Sequence, residues 1–497
     1  MKKISIKLSK NIKTFLWKIK PKSSKNHSKK WINAISDILF GLIKGQECFL
    51  NTVVQNMEHY KNSLEIFKNW GRKKILSKNP QIAKISENLN VNLIKFKEKF
   101  LKYVLWNLDL KSFDELKNKS IKDRVFEQWL FLHDTTDIQK PFAKKMEKVA
   151  QTRDWSSHKI NKSWKWYYAE WTILFFKWKI KPLLLTLFSS KDETDPKKIT
   201  RKNMNYLNAF LDFNKIINVF DRGYDVANFI RKMIEKGENF IIRWVKNRWI
   251  ICPEYYEKIK WKWTTKIDRQ NIFSKVEDFT KEIKFEKIPT HKHYDIGFKK
   301  VLKKWENADK DLNDVISVNL IVIRLKKDSD ILWIEEDLKT FKNAWEDFDK
   351  EFYFYTNLDI QTPEDALIIF YLYLKRWKIE VYFKYLKQVF SLEKIKILWF
   401  KKLKNICNLL IFASYFLYKN FYNVLNKFET LDKKSLENIL LEEKKDKNNL
   451  EILILKYYFQ YCEQLNLKFT PDSFSRFINF EIWNEIIYCE NIFFESW

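Results

Sequence analysis

Apolar residues recur at helical intervals near the start of the chain, shorten into runs in the middle, and return to helical spacing towards the end. Ile32, Ile35, Leu39, Leu42 and Ile43 repeat on one helical face, and Val53, Val54, Met57 and Tyr60 follow them, so residues 31 to about 110 read as helical. Runs at 130–132, 171–176, 181–188 and 216–220 predict strands, the second and third joined as a hairpin. Residues 189–202 read as a polar loop and the segment to Phe213 as helix. Val226, Phe229, Ile230 and Met233 open an amphipathic helix, and 239–356 is mostly strand in pattern, most clearly at 240–245 and 315–325. Beyond about 395 the spacing is helical again. Residues 409–418 are strongly apolar, 433–448 charged, and 480–497 rich in aromatics.

The stretch 371–390 stands out. On a helix at about 100° per residue, Tyr373, Arg376, Glu380 and Lys387 share one narrow stripe, with Trp377 and Lys384 beside it. Leu372, Leu374, Ile379, Val381, Tyr382, Tyr385 and Leu386 cover the other faces. A helix apolar on most sides is buried on most sides, so its stripe faces water, a partner or a charged site. Thr362-Pro-Glu-Asp supplies an N-cap, Pro in the first turn and acids beside it, and predicts a deliberate start for this helix. Two acids upstream end apolar runs. Residues 130–132 close on His133-Asp134, after which Thr135, Thr136 and Asp137 are expected to leave the strand. Residues 216–220 close on Asp221, with Gly223 permitting a tight exit. Each has a plain reading, a solvated stripe, a turn or a helix-capping Asp, and His133 reads as a structural neighbour rather than a metal ligand.

Together these residues resemble a known pattern. Tyr373-x2-Arg376-x3-Glu380-x6-Lys387 resembles the signature around the catalytic Glu of the insertion-sequence DDE transposases of the YREK group. Asp134-Thr-Thr, with Lys140 downstream, resembles that family's first motif, and Asp221-Arg222-Gly223 its second. The resemblance spans about 126–400. It implies an α/β fold, a ribonuclease-H-like catalytic core with a β-rich insertion, flanked by helical N- and C-terminal domains. The expected divisions are a basic arm at 1–30, a helical DNA-binding domain at 31–110, the first part of the core at 111–238, the insertion at 239–360, the catalytic-Glu helix at 361–400 and a helical domain at 401–497. It implies that Asp134, Asp221 and Glu380 are catalytic and hold two Mg²⁺ ions, with Mn²⁺ as a substitute. Hard oxygen ligands suit such ions, and a pair of them would serve in-line phosphoryl displacement. The implied activity is cutting at transposon ends and joining of the 3′-hydroxyl to target DNA. Tyr373, Arg376, Trp377, Lys384, Lys387, Arg222 and Arg243 would contact DNA, and the implied partners are terminal inverted repeats, target DNA and a second protomer at paired ends. Two other readings stand beside it: a DNA-binding protein of transposase origin without catalysis, and a metal-dependent nuclease that cuts without joining.

Composition favours an anionic partner. The formal charge is +30, from 93 Lys and Arg against 63 Asp and Glu, although a chain rich in Lys, Asn, Ile and Phe owes part of that to AT-rich codons. Residues 1–30 hold eleven Lys and no acid, the composition of a solvated, nucleic-acid-binding arm. Five scattered Cys (48, 252, 407, 462 and 489) without a C-x-x-C pair suit a reduced, cytoplasmic protein without a zinc site, which the resemblance implies is nucleoid-associated. His291 and His293, two apart without nearby Cys, do not make a metal site. The apolar run at 409–418 is too short to span a bilayer, and no signal peptide is read at the N-terminus. Six Gly against 21 Trp is unusual. Trp155, Trp164 and Trp178 lie where turns or strand starts favour Gly, so either UGA codons have been read as Trp in place of Gly or the chain is truly Trp-rich.

Overall fold

The computed structural model describes chiefly residues 2–19, 25–45, 93–153, 160–251, 273–289, 294–304, 315–325 and 351–429, less isolated positions within them. The expectations for 53–60, Trp155, Trp178, His291, His293, 433–448 and 480–497, and for the side chains of Trp164 and Lys384, lie outside the described residues.

The architecture is mixed α/β around an open twelve-stranded sheet. Among the described residues four helices precede it: α1 (Lys2–Lys18), α2 (Lys25–Gly45), α3 (Ile94–Leu105) and α4 (Ile121–Glu127). The strands are β1 (Leu130–Gln139), β2 (Ala150–Arg153), β3 (Ile160–Phe176), β4 (Lys179–Phe188), β5 (Ile217–Phe220), β6 (Asn239–Arg243), β7 (Trp249–Ile251), β8 (Phe273–Lys275), β9 (Glu286–Lys287), β10 (Tyr294–Lys304), β11 (Val315–Leu325) and β12 (Glu351–Thr356). Between them stand α5 (Pro196–Leu207) and α6 (Ala227–Glu235). After them come α7 (Pro363–Leu374), α8 (Trp377–Val389) and α9 (Phe400–Glu429). The main order is β2-β3-β1-β5-β6-β12-β11-β10-β7-β8, with β4 on β3 and β9 on β10. Among the described residues only β1–β5 and β5–β6 pair in parallel. β5 has four residues, all buried, as a short central strand covered on both faces requires.

Four expectations are corrected. The strand carrying Asp134 does not stop there. It continues to Gln139, because Asp134 to Gln139 pair antiparallel with Trp171 to Trp166. The polar segment 189–202 is not all loop: Asp195 accepts from the Lys197 amide, Pro196 sits in the first turn, and α5 starts there. Within the basic stretch 1–30 the segment 12–19 is not solvated: Ile12, Phe15 and Leu16 of α1 and Ile19 just after it are buried, with Phe15 stacked on Tyr415 of α9 and edge-on to Phe100 of α3.

The fourth correction shapes the site. The helix expected over 371–390 is two helices. The Thr362 cap, a reciprocal capping box with Asp365, starts α7 and not the helix that bears Glu380. Asp365 also pairs with Arg124 of α4 at 2.7 Å, both side chains nearly buried. At Lys375 and Arg376 the backbone tightens: the Lys375, Arg376, Lys378 and Ile379 amides all reach back three residues, to the Leu372, Tyr373, Lys375 and Arg376 carbonyls. The chain turns there and begins again as α8. Behind α8, Lys140 Nζ donates to the carbonyls of Leu392, Glu393 and Ile395 at 3.1, 2.5 and 3.0 Å. One buried ammonium thus ties the end of β1 to the segment that follows α8.

Candidate functional site

The parallel register aligns Leu130, Phe131 and Leu132 of β1 with Ile217, Asn218 and Val219 of β5. Two residues farther along each chain stand Asp134 and Asp221, so the topology sets these carboxylates side by side where the parallel pairing ends. His133 beneath them is fully buried. Its Nε2 meets Asn218 Oδ1 at 3.0 Å, its Nδ1 meets Thr172 Oγ1 at 3.2 Å, and its ring stacks on Phe220. It is a structural neighbour, as its position implied.

Arg376 closes the third side. From the break between α7 and α8 its Nη1 reaches Asp134 Oδ2 at 3.2 Å and its Nη2 reaches Glu380 Oε1 at 2.5 Å. Two further carboxylate oxygens accept from backbone amides. Asp134 Oδ1 accepts from the Thr135 amide at 2.7 Å, and Asp221 Oδ1 accepts from the Gly223 amide at 3.0 Å, capping the single helical turn Arg222–Tyr224. A Cβ on Gly223 would lie 3.1 Å from that same oxygen, so the glycine permits the close cap. Burial pushes the Asp134 carboxyl up to about 8; Arg376 opposes the shift, while Asp221 and Glu380 add to it.

These contacts overturn the metal-centred expectation. Among the described residues no group of three or more His, Cys, Asp or Glu side chains is placed to hold a metal ion. The three acids converge, but a guanidinium already lies against two of them, and the third is turned onto a backbone amide. The donor set does not fit a pair of Mg²⁺ or Mn²⁺ ions, so the expected DDE transposase chemistry, the end-cutting and joining, and the magnesium requirement are withdrawn.

The cationic residues are distributed unevenly. Tyr373, nearly buried, places its hydroxyl within hydrogen-bonding reach of Arg243 and Arg376, and burial raises its phenol above the ordinary range. Arg243 lies over the Phe352 ring, 5.7 Å from its centroid. Burial, followed by the like charges of Arg222 and Arg376, lowers its pKa. Arg222 is exposed at the rim. Three arginines from β6, the turn after β5 and the α7–α8 break therefore share one mouth. Lys387 does not join them: it faces Asp137 at 3.6 Å and Glu393 at 3.3 Å and is neutralised there. Trp377 is half-buried at the start of α8.

Sequence reasoning missed two supports of this mouth. Tyr224 is buried, and its hydroxyl bridges Thr135 at 3.2 Å and Thr200 at 3.0 Å, joining β1 to α5. Asp225 accepts from the Tyr355 hydroxyl at 3.0 Å, pairs with Arg248 at 3.1 Å, and bonds Lys303, tying the turn after β5 to β12 and β10. Both follow Gly223 directly, but no spacing rule links them to partners so far along the chain.

No family model matches the chain, and no curated protein matches it. Among the described residues no helix is long and apolar enough to cross a membrane.

Proposed function

We propose that the protein is a nucleic-acid-binding protein of YREK-transposase descent, built on a ribonuclease-H-like core, that holds DNA without cutting it. Arg376 carries this reading. Its guanidinium bonds Asp134 and Glu380 together, so both of these acids already have a partner within the protein. Arg222 and Arg243 stand at the same mouth, and planar guanidinium groups suit phosphate. A formal charge of +30 favours a polyanionic partner.

The test is fluorescence anisotropy with a labelled duplex over a range of salt. The logarithm of the association constant should fall linearly with the logarithm of salt, with a slope of about −0.9 for each phosphate engaged. Arg222→Gln with Arg243→Gln should make the slope shallower by about 1–2. A protein that shows no salt-dependent binding would sink the reading. Nicking of the duplex that disappears in Glu380→Gln would overturn its non-catalytic half.

A further inference from the structure

At the far end of the β3–β4 hairpin lies a second cationic surface. Asp134 pairs with Trp171, whereas the hairpin turn follows Phe176. Five residues at about 3.4 Å each place this end about 17 Å from the acidic mouth. Trp129 and Phe176 stack there with centroids 3.6 Å apart. Lys177, exposed at the turn, lies over Phe176 at 5.2 Å and over Phe126 at 5.7 Å. Lys181 lies over Trp129 at 5.4 Å. On the α9 side, Lys419 lies over Tyr103 at 4.8 Å and bonds its hydroxyl, and Lys18 of α1 lies 6.0 Å from the same ring.

These lysines are short of negative partners. Among the described residues Lys18, Lys177, Lys181 and Lys419 form no ion pair with a carboxylate. The charges that act on Lys181 are Lys179 and Lys419, both positive; burial and then these two lower its ammonium to about 8. Elsewhere in the protein, lysines find acids readily: Lys111 and Lys119 share Glu127, Lys148 meets Asp192, and Lys387 meets two carboxylates. Four ammonium groups without a carboxylate partner among the described residues, contributed by α1, the hairpin turn, β4 and α9, lie against aromatic rings, Lys177 and Lys181 over Phe176 and Trp129 and Lys18 and Lys419 over Tyr103. Rings under ammonium groups supply no counter-charge equal to a carboxylate. Such an array is completed by a line of anions spaced along a polymer.

We infer that this surface is a second nucleic-acid backbone track, taking consecutive phosphodiesters on Lys18, Lys177, Lys181 and Lys419, with Lys179 behind them. The inference rests on the reading of the protein as a nucleic-acid binder. It assigns the additional contact to a site remote from Arg222, Arg243 and Arg376.

The experiment is a salt titration of duplex binding by the full chain and by a quadruple variant, Lys18→Gln, Lys177→Gln, Lys181→Gln and Lys419→Gln. The slope should become shallower by about 2–4, at about 0.9 for each phosphate lost, and the affinity near 0.1 M salt should fall at least tenfold. Lys18→Gln with Lys177→Gln alone, both exposed, keeps the test available if the quadruple variant does not fold. Its slope should become shallower by about 1–2. A parent that binds with a slope unchanged by either variant overturns this track and leaves the arginine mouth standing. A parent that does not bind at all overturns both readings. Vesicles containing phosphatidylglycerol that displace duplex from the parent but not from the lysine variant would overturn it in favour of a membrane surface.

Discussion

At the scale of single residues, Arg376 decides the character of the cleft. Its spacing from Glu380, four residues, already placed the two on one helical face, so that ion pair was legible in the sequence. The reach to Asp134 was not, because it depends on the break at Lys375 and Arg376, which redirects the guanidinium towards β1. Asp221 was legible twice over, as a strand-end acid and as a capping acid, and the local Gly223 amide took it. Asp134 carries a prediction. Its carboxyl sits at about 8 in the fold against an ordinary 3.8. Between those values the folded chain holds a proton that the unfolded chain has lost, so stability falls as pH rises from about 4 to about 8 and levels off above. Asp134→Asn removes that term. The thermal midpoint of Asp134→Asn minus that of the parent should therefore grow as pH rises through this window, and the variant should be the more stable at pH 8. Melting curves across the window check it; a difference that does not change with pH refutes the assignment.

At the scale of elements, the strands and helices of the centre were the most readable part, since period-two runs and periodic apolar faces record burial directly. What the pattern could not supply was where elements end. β1 runs on past Asp134 because β3, thirty residues later, offers it a partner, and no local signal carries that information. The hairpin turn illustrates the opposite case. Phe176 pairs with Lys179, leaving two loop residues, and Lys177 takes a φ of +48°, a value that favours Gly or Asn. The sequence placed a hairpin turn here, but it looked for the missing glycine at Trp178, which lies outside the described residues, whereas the left-handed residue is its neighbour Lys177. The attachment of β1 to the segment after α8 rests on Lys140, whose three carbonyl acceptors lie more than 250 residues away. Lys140→Met keeps the apolar stem and strands those carbonyls. Hydrogen bonds from a charged donor contribute about 1.5–3 kcal/mol each, and the loss is not additive, so the expected cost is about 2–4 kcal/mol. Urea unfolding measures it. A cost below about 1 kcal/mol would mean that the segment after α8 is held by its apolar packing alone.

At the scale of the whole molecule, charge and packing compete to explain the N-terminal stretch. Eleven lysines without an acid made residues 1–30 look like a detached arm, and charge counting alone supports no other view. The structure resolves the conflict through periodicity. Ile12, Phe15 and Leu16 fall on one face of α1, continued by Ile19 just after it; this face is buried, α1 packs along α2, and Phe15 reaches α3 and α9, while Lys18 on another face is exposed. The same helix therefore serves the core and the charged surface at once. Phe15 contacts Phe100, Tyr103, Tyr415 and Phe416, which belong to elements more than 300 residues apart in the chain. Truncating a buried Phe to Ala costs about 3–5 kcal/mol. Phe15→Ala should lower the thermal midpoint of the whole protein by several degrees, yet leave the salt dependence of duplex binding at a permissive temperature unchanged, because no charge is removed. Lys18→Gln should do the reverse, lowering the salt dependence with little effect on the midpoint. If Phe15→Ala instead reduced the salt slope and spared the midpoint, α1 would be an arm after all, and its docking on α3 and α9 would contribute nothing to the fold.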